Sequence, residues 1–135
     1  MKSMKKLGFT LIELLIVLAL VGILSLIVYP SYNKHITRAR RIYATSVLLD
    51  VAGRIEQYYV KHRTYEGVDL DNLLVDRSRY DKYYDIDVNR TEDGYILTAI
   101  PINAQAKDGT CGVLTLDQAG RRGVDGAGSV NNCWL

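Results

Sequence analysis

Lys5-Lys6-Leu7-Gly8-Phe9-Thr10-Leu11-Ile12-Glu13 passes directly into residues 14–33, which contain no charged side chain. A helix over those residues spans about 30 Å, the thickness of a bilayer's hydrocarbon core. One carboxylate, Glu13, sits just inside the apolar stretch. An unpaired charge in lipid is costly, so Glu13 requires a partner. The residues ahead of Gly8 are few and basic, with no apolar run of their own. The pattern predicts a removable leader over residues 1–8 and a retained membrane segment over residues 9–30.

An ordinary secretory signal places its small-residue cleavage site after the apolar region. Here the suitable small residue, Gly8, precedes it. Composition alone also allows a plain N-terminal anchor. The string Gly8-Phe9-Thr10-Leu11-Ile12-Glu13-Leu14 closely resembles the signature of the type IV pilin family. That resemblance implies cleavage by prepilin peptidase between Gly8 and Phe9, followed by N-methylation of Phe9. It implies that Glu13 guides assembly by neutralising the N-terminal amine of a neighbouring subunit. Gly22 and Pro30 match positions where pilin helices loosen on packing into a filament. The physics agrees, since in a helix interior Gly costs about 1 kcal/mol and Pro about 3 kcal/mol. A simple kink at the membrane surface is the compatible reading of Pro30.

The formal charge of +2 combines 17 basic and 15 acidic side chains. Three of the basic ones, Lys2, Lys5 and Lys6, fall in the expected leader, leaving 14 basic against 15 acidic. From Ser31 onward the two signs balance, which gives no global electrostatic case for binding nucleic acid. Basic residues stay on the cytoplasmic side, so the part beyond Pro30 is expected to face outward. Expected surroundings are the bacterial inner membrane before assembly, then the pilus at the cell surface, with the globular part periplasmic or extracellular.

Residues 31–61 read as an amphipathic helix continuing the membrane segment. Ile36, Tyr43, Val47, Val51, Ile55 and Tyr58 recur at helical steps, and Arg38, Arg40, Arg41, Asp50, Arg54, Glu56 and Lys61 fill the other faces. The rest, residues 62–135, begins with a connecting loop over 64–82 that holds a short helical turn near 71–74. Residues 83–88 and 95–100 read as strands joined by a hairpin loop over 89–94 with Asp-Gly chemistry. Residues 111–117 form a third strand. A fourth lies in either 121–125 or 131–135. The fold class is α+β: one long helix on a meandering antiparallel sheet, which the resemblance identifies as the pilin fold.

The two cysteines, Cys111 and Cys133, fit neither a zinc pattern nor a Cys-x-x-Cys motif. Cys111-Gly112-Val113-Leu114-Thr115-Leu116-Asp117, then Gly120, then Cys133-Trp134, resembles the C-terminal pattern of PilE-type minor pilins. The resemblance implies a disulfide around the so-called D-region, a surface loop used for subunit or ligand contacts. An exported location supports pairing, with two free thiols as the alternative.

Other constellations carry less. His35 and His62 lie near opposite ends of the amphipathic helix and suggest no shared metal site, and no cofactor is expected. Asp85 and Asp87 read as the wet face of a strand. Asn89-Arg90-Thr91 matches a glycosylation sequon that a bacterial exported protein need not use. Ten tyrosines are explained by core and sheet packing. There is no nucleophile motif or phosphate-binding glycine loop, so no enzyme and no catalytic residue is expected. The expected function is that of a minor pilin, structural or assembly-priming, in a type IV pilus. Expected partners are other pilins, the prepilin peptidase and the inner-membrane assembly platform. A DNA-receptor pilin is the alternative, with Lys107, Arg121 and Arg122 as possible phosphate contacts against a favoured reading of subunit contact. A type II secretion pseudopilin is the third class, disfavoured by the cysteine pair.

Overall fold

The computed structural model describes residues 8–134, the side chain of Arg79 excepted. Residues 1–7 of the expected leader, and Leu135 of one expected strand, lie outside the described residues. Helix α1 runs from Leu11 to His62 without interruption, through Gly22 and Pro30. The chain divides into two units, Met1–Ile36 and Thr37–Leu135.

The described part of the first unit is nearly all α1. Thr10 caps the helix, its hydroxyl accepting from the Glu13 amide at 3.3 Å. Thr10-Leu11-Ile12-Glu13 has the spacing of a capping box, and Glu13 lies in the first turn, where the helix dipole favours a carboxylate. From Leu11 to His35 every side chain is exposed, although all but a few are apolar. By length and composition this stretch can cross a membrane.

The second unit contains the remainder of α1, then β1 (Tyr84–Thr91), β2 (Gly94–Pro101), β3 (Leu114–Asp117), β4 (Arg122–Val124) and the short helix α2 (Val130–Cys133). The four strands form an antiparallel meander in the order β1-β2-β3-β4. Period-two alternation sets its register: Tyr84 and Ile86 are buried while Asp85 and Asp87 are exposed. Leu97 stands between Val88 and Leu116, and Ala99 between Ile86 and Leu114, so apolar residues face one another across three strands. These side chains share one core with Ala44, Leu48, Val51 and Ile55 of α1. Each fully buried aliphatic side chain stabilises by roughly 1.5–3 kcal/mol.

Several boundaries differ from those expected. The buried stripe of α1 is centred on Ala44, Leu48, Val51 and Ile55, with Tyr43, Val47 and Tyr58 at its margins. The margin residues are bulky or carry a polar tip and can cover the edge of a core, whereas Ala and Leu fill its centre. The hairpin loop is two residues, Glu92 and Asp93: Asn89, Arg90 and Thr91 belong to β1, paired with Ile96, Tyr95 and Gly94. Polar side chains are tolerated there because β1 is an edge strand, and extending the ladder satisfies backbone groups. β3 begins at Leu114, not at 111, because Gly112 adopts φ +58°, a left-handed conformation that ends an extended run. β4 occupies the first of the two expected places, and residues 130–133 are helical instead.

The 64–82 connection is pinned rather than loose. Arg54 donates to the carbonyls of Leu73 and Leu74, and the Tyr58 hydroxyl donates to the carbonyl of Glu66 at 2.8 Å. Val68, Leu70 and Leu73 are buried. The segment also holds a 3-10 helix, Arg77–Arg79, capped by the Asp76 carboxylate, where only loop was expected.

Candidate functional site

Two sets of expected functional residues are described. In the first unit, Gly8, Phe9 and Thr10 precede α1 in irregular backbone. Phe9 is exposed, as is Gly8, so the peptide bond between them is accessible. Glu13 follows on the first turn of the helix and has no ion-pair partner among the described residues. A Cβ at Gly22 would meet open space, so nothing within the single chain requires glycine there.

In the second unit, Cys111 and Cys133 form a disulfide with Cα atoms 5.8 Å apart. The bridge closes a segment holding β3, β4 and α2. Closing such a loop stabilises by about 3 kcal/mol in the chain-entropy model. A second tie joins its base to α1. Arg41 donates from Nε and Nη2 to the two carboxylate oxygens of Asp108, at 2.7 and 2.8 Å. The pair is largely buried, and Asp108 Oδ1 also accepts from the Cys111 amide. Two residues beyond the strand end, the 3-10 helix Asn103–Lys107 supplies Gln105, whose amide donates to the Thr37 carbonyl and the Tyr84 hydroxyl. Burial raises the Tyr84 hydroxyl's pKa, and the Gln105 bond opposes that rise.

Inside the disulfide loop, Asp117 organises the β3–β4 turn. Its carboxylate accepts from the backbone amides of Ala119 and Arg121, both at 2.9 Å, and from Arg121 Nε at 2.7 Å. The Arg121 amide bond is the largest of the causes that hold this carboxyl below its ordinary range. Arg121 is thus committed to an exposed local ion pair. Arg122 differs. Its guanidinium lies 5.5 Å from the ring centre of Trp134 and has no carboxylate partner among the described residues. Trp134 is buried and fixed by donating from Nε1 to the Gly123 carbonyl at 3.1 Å. An arginine spread on a fixed aromatic face remains free to pair with an anion. Lys107 is exposed at the end of its 3-10 helix, on a different element from Arg121 and Arg122.

The sequence reading therefore located the loop and its cations but not the partners that distinguish them. The turn spacing Asp117-x-x-Gly120 was a usable signal for Asp117. Nothing local links Arg41 to Asp108, or Arg122 to Trp134, since those pairs meet only in the folded chain.

Residues 3–29 match the family model described as a prokaryotic N-terminal methylation motif. Residues 30–115 match the model described as "Type IV minor pilin ComP, DNA uptake sequence receptor". That match ends before Arg121, Arg122 and Cys133. The chain is 37% identical over 67 residues to a fimbrial protein of Neisseria meningitidis serogroup B, covering 50% of this chain and 39% of that protein. It is 39% identical over 62 residues to the type IV major pilin protein PilE1 of Neisseria gonorrhoeae, covering 46% and 37%. It is 44% identical over 57 residues to the type IV major fimbrial protein FimA of Dichelobacter nodosus, covering 42% and 35%. These matches thus span less than two-fifths of each curated relative. Among solved structures, a type IV pilin from Shewanella oneidensis aligns with TM-score 0.57 and 29% identity, covering 73% of this chain and 98% of that one. By its N-terminal motif, its helix-on-sheet fold and a family match over most of its length, the chain belongs to the type IV pilins, within the minor pilin ComP family.

Proposed function

We propose that this chain is a minor subunit of a type IV pilus, held in the inner membrane by the first half of α1 and transferred from there into the filament. One observation carries the reading. Residues 11–35 of α1 are exposed and almost wholly apolar, and until Lys34 their one charge is Glu13, at the end where a neighbour's amine would lie. In this reading prepilin peptidase cuts between Gly8 and Phe9, Phe9 is N-methylated, and Glu13 pairs with the Phe9 ammonium of an adjacent subunit. Gly22 and Pro30 weaken the helix where packing demands it, and the assembly platform and other pilins are the partners. N-terminal mass spectrometry of purified pili tests this. A peptide beginning at methylated Phe9 is expected, and a chain beginning at Met1 or after Pro30 overturns it.

A second reading, a receptor for DNA during uptake, is favoured by the family description, which names that role for relatives. The arrangement of the disulfide loop supports Arg122 as a phosphate contact, since Asp117 engages Arg121 and Lys107 stands on another element. Arg122→Gln should weaken DNA binding and reduce its salt slope by about 0.9. Arg121→Gln should leave the slope nearly unchanged. Equal slopes for both variants and the parent overturn the Arg122 assignment.

A further inference from the structure

A groove of about 800 Å³ lies between the C-terminal end of α1 and the β1–β2 turn, remote in sequence from the disulfide loop. One wall is aromatic and fixed. The rings of Tyr59 and Tyr65 stack at 4.6 Å, and Tyr65 meets Tyr95 edge-on at 5.6 Å. Tyr95 is in turn buried and donates to Glu56. The remainder of the lining is polar. Arg63 and Arg90 present guanidinium donors, and Asn89 an amide. Glu66, Glu92 and Asp93 present carboxylate acceptors. None of these six side chains makes a hydrogen bond or ion pair among the described residues, although both charge signs line one concavity.

We propose that this groove binds a neutral oligosaccharide. A pyranose ring has an apolar C–H face and a rim of hydroxyls that both donate and accept. A tyrosine face covers the first, and planar guanidinium, amide and carboxylate groups engage neighbouring hydroxyls in pairs. The size suits a short oligosaccharide. Three carboxylates against two guanidiniums disfavour a polyanion, whose binding depends on excess positive charge. Val88 is the sole aliphatic side chain in the lining, so an apolar peptide side chain has no pocket to fill. The rigid aromatic wall limits the ordering cost of binding. The site shares no residue with the DNA reading.

The test uses the full chain in a sugar-free zwitterionic detergent, applied to an array of immobilised neutral oligosaccharides, with duplex DNA as the polyanion control. Retention of one or more neutral glycans is expected, insensitive to salt between roughly 0.05 and 0.5 M. Asn89→Ala and Asp93→Ala, both exposed and without side-chain partners among the described residues, should each weaken it about tenfold. Arg122→Gln should leave glycan retention unchanged, which separates this site from the DNA reading. Three results overturn the proposal: no neutral glycan retained, retention unaltered by both groove variants, or salt-sensitive DNA retention lost in Arg63→Gln and Arg90→Gln.

Discussion

The two halves of α1 belong to one helix and differ in almost every physical respect. Residues 11–35 are almost wholly apolar and exposed on all sides, whereas residues 37–62 carry Arg38, Arg40, Arg41, Asp50, Arg54, Glu56 and Lys61 yet hold Ala44, Leu48, Val51 and Ile55 fully buried. Total hydrophobicity therefore reports which solvent a helix meets, and periodicity reports whether it has a partner within its own chain. The first half completes itself outside the single chain, in lipid or in a filament. The second is completed by the sheet encoded some thirty to sixty residues later. Glu13 and Asp108 repeat the contrast at the level of one carboxylate. Asp108 is buried with both oxygens satisfied by Arg41, and Glu13 has no ionic partner among the described residues.

The largest effect is expected at Glu13. Glu13→Leu makes the anchor more apolar, so the protein should still be processed and held in the membrane. It should be lost from filaments if, as proposed, Glu13 pairs with the amine of an adjacent subunit. Counting the subunit in sheared pili by mass spectrometry checks this, and normal incorporation of the Leu variant breaks the comparison.

Asp108→Ala should act in the opposite manner, on folding. It leaves Arg41 largely buried without its partner, at a cost of about 3–5 kcal/mol. A double replacement, Arg41→Met with Asp108→Leu, should recover much of that loss, because an apolar pair of similar volume removes the desolvation penalty. Denaturant unfolding of the second unit's signal measures both. If the single variant matches the parent, the clamp contributes nothing.

The same substitution in each half sharpens the contrast further. Leu48→Ala opens a cavity in the core and should destabilise by about 2–5 kcal/mol. Leu18→Ala removes a side chain that is 60% exposed in the single chain and should leave unfolding unchanged. Equal effects would show that the first half packs within its own chain after all.

The smallest effect concerns pH. The folded β3–β4 turn binds the Asp117 carboxylate form, chiefly through the Arg121 amide, and this holds its pKa below the ordinary value of 3.8. The contribution to stability is therefore complete above the unfolded value and is lost as pH falls through the lower folded one. An NMR titration of the Arg121 and Ala119 amides should show a midpoint below 3.8, with the rest of the sheet unaffected. A midpoint at or above that value would mean that the turn is not held by Asp117.

Legibility in the sequence followed the range of the interaction. The membrane-spanning run, the N-terminal signature and the alternation of Tyr84, Asp85, Ile86 and Asp87 are patterns of neighbours, and they were readable. The centre of the buried stripe shifted from Tyr43 and Val47 to Ala44 and Leu48, because a stripe's edge and middle look alike until the opposing surface is present. The hairpin shortened because Asn89, Arg90 and Thr91 look like loop and pair like strand. The cations near the C-terminus were visible as charges, but not that Asp117 engages Arg121 while Trp134 carries Arg122.

By itself the sequence determined where the chain meets lipid, where its helix and its sheet lie, and its membership of the type IV pilins, since these depend on local composition and period. The tertiary structure decided which carboxylate is satisfied within the chain, which arginine stays available, and that six polar side chains without a partner among the described residues share one groove with a stacked tyrosine wall. Those outcomes depend on contacts between residues up to 67 apart in sequence, such as Arg41 and Asp108, whose meeting no local pattern encodes.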